Sequence, residues 1–226
     1  MSALPQSNHV FGLPVSFDNY IKHGWSLVPI PPGTKGPKTP GWNKRENALK
    51  DSTLIPPDHG VGLCHAYSGT CAIDIDAWDS AVIALAEHNI DLNALYDAPD
   101  AVIIDSGNPG HGKLIYAMPF GLTLASKKIT DDNGKVVYEL RCASANGLTL
   151  QDLLPPSKHP SGTTYQWGGK GKWTELPTLP IELLTLWQSM VDKDSQRTVS
   201  NGTLDVSWDE IKSALYTITP ECSRDD

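Results

Sequence analysis

The sequence predicts an α/β fold, and three observations carry that expectation. Strand-like runs rich in Val and Ile alternate with stretches of helical apolar spacing. Glycine and proline number 19 and 18 among 226 residues, so the elements are short and joined by many turns. Hydrophobic residues make up 39% and seven tryptophans are spread along the chain, the composition of a folded protein with one substantial domain and room for a small appendage.

Taken in order, "SFDNYIKHG" (16–24) opens on a serine cap and stops at Gly24, which predicts a short helix. It feeds a strand, "WSLVPI", broken by "PPGTKGP". "GVGLC" and "TCAIDIDA" read as two strands joined through "HAYSG", and "DSAVIALAEHNI" has the spacing of an amphipathic helix. "AVIIDS", the glycine-rich turn "GNPGHG" and "KLIYAMP" together predict a hairpin over 101–119 with a polar tip. "KVVYELRC", entered through the turn "DDNG", is a further strand, "TTYQW" a short last one, and "PIELLTLWQSMV" a helix with Pro180 near its first turn. These elements fill a domain over 1–191. The polar stretch 192–202 reads as a linker, and 203–226, with its pattern "SWDEIKSALYTI", as the start of a helical module cut short.

Composition excludes several classes. A net charge of −8 argues against a protein that coats nucleic acid through bulk electrostatics, so any such contact needs a local patch. No apolar run reaches the roughly 20 residues of a membrane span and no secretory layout opens the chain; a soluble, cytoplasmic protein without membrane association is expected. Cys64, Cys71, Cys142 and Cys222 form no C-x-x-C pair, so idle, buried thiols are expected rather than a zinc knuckle.

The chemistry-bearing residues begin with Asp74 and Asp76 in "CAIDIDAWDS". Strand alternation puts both on one face, with α-carbons about 6.5–7 Å apart. They are either the wet side of a sheet or half of a site for hard divalent cations such as Mg²⁺ or Mn²⁺. Glu139 in "VVYELRC" adds a third acid if its strand lies beside theirs; the plain alternative is an ion pair with Arg141, two residues on. The turn that opens at Ser106 and runs past His111 to Lys113 either cradles phosphate oxygens or is an ordinary hairpin tip, and it does not have Walker A spacing. "LLPPSKHPSGTTYQW" mounts Ser157, Lys158 and His159 on a proline-stiffened loop, where His159 either donates to a phosphate or is simply solvated. Lys35, Lys38, Lys44, Arg45 and Lys50, with Trp42 among them, form a basic loop that is either a solvated surface or a nucleic-acid contact.

Read together and in this order, these segments resemble the bifunctional primase-polymerase (prim-pol) domain of the archaeo-eukaryotic primase superfamily, found in phage, plasmid and prophage replication proteins. The resemblance rests on "GWSLVPIPPGTKGPKTPGW", "GVGLCHAYSGTCAIDID" and "ELRCASANGLTLQDLLPPSKHPSGTTYQW" and covers about residues 15–190. It implies an RNA-recognition-like catalytic sheet, mixed and largely antiparallel, flanked by helices and joined to a small N-terminal α/β unit. It further implies that Asp74, Asp76 and Glu139 are catalytic ligands of two Mg²⁺ or Mn²⁺ ions. Lys113, Arg141, Ser157 and His159 would lie against the triphosphate of an incoming NTP or dNTP, together with the turn at Ser106. The family's second motif usually ends in histidine on the strand after the glycine turn; here Lys113 holds that place, with His111 two residues earlier.

The activity implied is template-directed nucleotidyl transfer on single-stranded DNA, as DNA primase and polymerase, with Lys35, Lys38, Trp42 and Arg45 against the template. A helicase module is expected in the full-length protein. Two rival readings use the same residues: a metal-dependent nuclease, and an inactive replication-initiation or DNA-binding module.

Overall fold

The structure, a computed structural model, describes residues 16–201, with side chains to Asp194. The chain divides after Val191 into two units, and the first holds all the elements that matter to the site. Within it, two antiparallel sheets and the helices around them form a mixed α/β fold.

The smaller sheet has the order β1 (Leu27–Ile30), β2 (Gly60–Cys64), β8 (Gln151–Leu153). The larger has six strands in the order β6 (Lys127–Thr130), β7 (Val136–Arg141), β3 (Thr70–Ile75), β5 (Gly112–Ala117), β4 (Val102–Asp105), β9 (Gln166–Gly169). The expected hairpin is β4–β5, with Ile104 opposite Lys113. "GVGLC" and "TCAIDI" are strands as expected but belong to different sheets. A four-residue helix, α2 (His65–Ser68), and Gly69 at φ +65 carry the chain from one to the other. A left-handed conformation at that position suits a residue without Cβ.

Period-two patterning explains how the large sheet is buried on both faces. Ile73, Ile75, Leu114, Tyr116, Tyr138 and Leu140 pack on α3 (Trp78–Ala86), α4 (Leu92–Asp97) and α5 (Ile181–Asn201), through Leu85, Leu92, Leu183 and Trp187. Ala72, Ile104 and Ile115, on the opposite face, pack on Val61, Leu63 and Leu154 and on Tyr20 of α1 (Phe17–Lys22). The small sheet and α1 thus form a lid of secondary structure over one face of the large sheet. Where that lid gives way to polar residues, the seam between the sheets opens.

Elements not expected from the sequence are β6, β8, α2, α4 and two single-turn 3-10 helices at Arg45–Asn47 and Ser52–Leu54. α5 also continues through the polar stretch read as a linker, as far as Asn201, while the helical module proposed for 203–226 and Cys222 lie outside the described residues. Cys64, Cys71 and Cys142 are buried and free, and burial pushes the Cys64 thiol up to about 12. No helix among the described residues is long and apolar enough to cross a membrane.

Candidate active site

Strand register builds the site. Lys128, Glu139, Asp74, Lys113, Ile104 and Trp167 are successive cross-strand partners, one from each strand, in a single line across the whole large sheet. Directly opposed residues on adjacent strands project on the same side, with Cβ atoms about 4.5–5.5 Å apart. A base, two acids and a base therefore stand side by side on the face turned toward the small sheet. Asp76 follows just beyond the end of β3, where its backbone N–H donates to Val137.

A cleft of about 290 Å³ opens over this line at the seam between the sheets. Asp74, Asp76, Ser106, His111, Lys113, Arg141 and His159 all line it, so seven of the residues singled out from sequence meet in one place. Lys35 also lines it, at the rim, although the sequence reading had grouped it with the template-binding loop. Ser157 does not: it is buried, and its Oγ accepts from the Val61 N–H at 2.9 Å, clasping β2 to the loop that follows β8. Glu139 stands next to Asp74 in the line but outside the cleft lining, and its Oε2 accepts from Arg141 Nη1 at 2.7 Å. The ion pair weighed as its plain alternative is thus present.

Charge is arranged by depth. Asp74 and Asp76 are the open acids, with side chains 29% and 40% exposed; Lys113 Nζ lies 3.1 Å from Asp74 and His111 Nδ1 3.6 Å from Asp76. Beneath them lies Asp152, only 3% exposed, which sequence reasoning missed. It sits on β8 of the small sheet and reaches across the seam, accepting from Lys113 Nζ at 2.5 Å and lying 3.0 Å from Arg141 Nε. Burial alone would raise its pKa, but Arg141, Lys113 and His65 outweigh that and hold the carboxyl well below the usual range. Burial likewise pulls the Lys113 ammonium and the Arg141 guanidinium down, and the carboxylates of Asp152 and its neighbours more than reverse it, so both stay charged.

His159 has a defined tautomer. The Ser161 N–H donates to its Nδ1 at 3.1 Å, so the proton of the neutral ring is on Nε2, a buried atom without a protein partner. A buried donor left unpaired costs about 1–3 kcal/mol, so a cleft that keeps one there is suited to an acceptor such as a phosphate oxygen.

Among the described residues, no three His, Cys, Asp or Glu side chains stand close enough to hold a metal ion by themselves. The donor set nevertheless fits a hard cation. Mg²⁺ is usually held by one or two carboxylates plus substrate phosphates rather than by an all-protein cage, and Asp74 and Asp76 offer two partly exposed carboxylates beside phosphate-suited donors.

Residues 18–181 match the family model described as bifunctional DNA primase/polymerase, N-terminal (Prim-Pol). The chain belongs to the Prim-Pol family. None of the curated proteins compared with it is a significant match. Membership places this chain among DNA primase and polymerase proteins, a nucleotidyltransferase type of family whose members generally use divalent metals.

The rest of the basic loop of this Prim-Pol domain is not gathered in the cleft. Trp42 is half-buried against Val28, Ile30 and Leu153, Arg45 lies over the Tyr67 ring at 4.6 Å, and Lys38 is exposed. Lys38, Trp42 and Arg45 all lie outside the cleft lining.

His65, also missed in sequence, is fully buried behind Asp152. Its Nε2 donates to Asp152 Oδ2 at 2.8 Å and its Nδ1 accepts from the Thr70 hydroxyl at 2.9 Å. Burial, reinforced by the charges of Arg141 and Lys113, lowers its pKa below the ordinary 6.5 despite Asp152. The folded protein therefore binds fewer protons than the unfolded chain below about pH 6.5. Stability from this group is fully present above that pH and is lost as the pH falls through it. The slope for one proton is up to about 1.4 kcal/mol per pH unit. In urea unfolding between pH 7.5 and 5, His65→Gln, which keeps a donor for Asp152 without titrating, is expected to flatten the pH dependence; identical slopes for the two proteins would rule this out.

Proposed function

We propose that this domain is a DNA primase and polymerase that transfers nucleotides in a template-directed reaction on single-stranded DNA. The observation that carries the reading is that one cleft sets two partly exposed carboxylates, Asp74 and Asp76, beside three groups that only donate: Lys113, Arg141 and the His159 Nε2–H. Carboxylates suit cations, and donors suit a triphosphate.

Asp74 and Asp76 would hold Mg²⁺ or Mn²⁺, with Glu139 one strand over as the third acid of a two-metal site. Such ions, when bound, supply an activated 3′-hydroxyl and neutralise the pyrophosphate that leaves. Lys113 and Arg141 orient the triphosphate and offset its charge, and His159 donates to one of its oxygens. Ser106 and His111 line the same cleft and would bound the nucleotide on the side of the β4–β5 turn. Lys38, Trp42 and Arg45 would guide the template outside the cleft. The setting this implies is cytoplasmic replication of a phage, plasmid or prophage, alongside a helicase module of the full-length protein.

The test is incubation with a primed and an unprimed single-stranded template, dNTPs or NTPs, and Mg²⁺ or Mn²⁺. Metal-dependent products whose sequence follows the template are expected. Shortening of the DNA without incorporation would identify a nuclease instead, and metal-independent DNA binding without either would identify an inactive module.

A further inference from the structure

Two cations of the cleft are each shared between an open acid and the same buried one. Lys113 Nζ lies 3.1 Å from Asp74 and 2.5 Å from Asp152, while Arg141 lies 2.7 Å from Glu139 and 3.0 Å from Asp152. Both reach Oδ1 of Asp152, and His65 occupies Oδ2. Asp152 comes from the small sheet, Lys113, Asp74, Arg141 and Glu139 from the large sheet and His65 from α2, so no strand register dictates this meeting.

The consequence is a matter of charge balance. Two cations face three carboxylates; without Asp152 it is two against two, and Lys113 with Asp74 and Arg141 with Glu139 become closed pairs. A metal ion would then have to displace a bonded ammonium or guanidinium from each acid. With Asp152 present, both cations keep a counter-charge when they release the open acids, and that counter-charge is held by a buried histidine rather than by a mobile side chain.

We propose that Asp152, oriented by His65, is a positioning residue that gives Lys113 and Arg141 a counter-charge to keep when a divalent cation takes Asp74 and Glu139 from them. This deepens the nucleotidyl-transfer reading and rests on it. Asp152 reaches the floor of the cleft, but its carboxylate is only 3% exposed and is taken up by Lys113, Arg141 and His65, so it acts through Lys113 and Arg141.

The test is Mn²⁺ binding to the whole chain, followed by loss of the free-ion EPR signal, so the readout is independent of turnover. Asp152→Asn is expected to raise the half-saturating Mn²⁺ concentration about tenfold or more, the usual cost of removing a partner of the ligand sphere. Adding Lys113→Ala to Asp152→Asn is expected to bring it back to within about threefold of wild type, because the ammonium that competes for Asp74 is gone. A purely structural role for Asp152 predicts no such recovery, and its absence overturns the proposal. If Asp152→Asn melts below the assay temperature, His65 takes over the test: His65→Leu is expected to weaken Mn²⁺ binding and His65→Gln to preserve it, and equal affinities for the two overturn the proposal as well. Wild-type protein that binds no Mn²⁺ defeats the nucleotidyl-transfer reading and this inference with it, whereas wild-type binding that Asp152→Asn leaves unchanged defeats the positioning role alone.

Discussion

Asp74→Asn is expected to lower nucleotide incorporation about a thousandfold, roughly 4 kcal/mol of transition-state stabilisation. The substitution is nearly isosteric, so it opens no cavity in a face that packs against the small sheet. What it removes is charge, from the one acid that sits between Glu139 and Lys113 in the line across the sheet and also opens into the cleft. Stability should hardly change. Asp74 is partly exposed, its pair with Lys113 is of the kind worth about 1 kcal/mol or less, and Lys113 keeps Asp152. Single-turnover extension of a labelled primer, beside thermal unfolding of both proteins, reads the two quantities separately. Extension by the variant within tenfold of wild type would remove Asp74 from the reacting centre.

The opposite profile is expected for Arg141→Met: a large loss of stability, about 3 kcal/mol, together with weakened nucleotide binding. Its guanidinium bonds Glu139 at 2.7 Å and the Gln151 carbonyl at 2.9 Å, and it lies 3.0 Å from Asp152, so one planar group ties β7 of the large sheet to β8 of the small one. Methionine fills much of the volume but leaves Glu139 with only Lys128, 4.0 Å away, and a buried carbonyl without its donor. The estimate is at the low end for a broken buried pair because Lys113 and His65 still serve Asp152. Arg141→Lys should recover only part of the loss, since a single ammonium cannot bond both Glu139 and the Gln151 carbonyl and also stay beside Asp152. Urea unfolding at constant m-value measures it; a loss below 1 kcal/mol would show that the two sheets are held together without this group.

The contrast between these two residues shows what was legible beforehand. Asp74 and Asp76 stand out in sequence because period-two alternation isolates them against Ile73 and Ile75, and Glu139 because it interrupts an apolar strand. The glycine turn and the proline loop are equally visible, and the structure brings His111, Lys113 and His159 to the same cleft as the aspartates. Ser157 was legible as a special residue but not as a structural one. Its clasp on Val61 depends on the close approach at Gly60, where an added Cβ would come within 2.8 Å of Ser157.

Local pattern by itself determined β3, β5 and β7 of the large sheet, the β4–β5 hairpin and the helices α3 and α5, because alternation and apolar spacing act over a few residues. The same pattern concealed β8. "QDL" carries two polar residues and reads as loop, and only its pairing with β2 makes it a strand and turns Asp152 inward. A buried carboxylate is tolerable only where cations and a donor converge on it, and Lys113, Arg141 and His65 come from three other parts of the chain. Tertiary structure alone decided that convergence, because the energy that allows Asp152 to be buried lies in partners 11 to 87 residues away, and no local pattern records them.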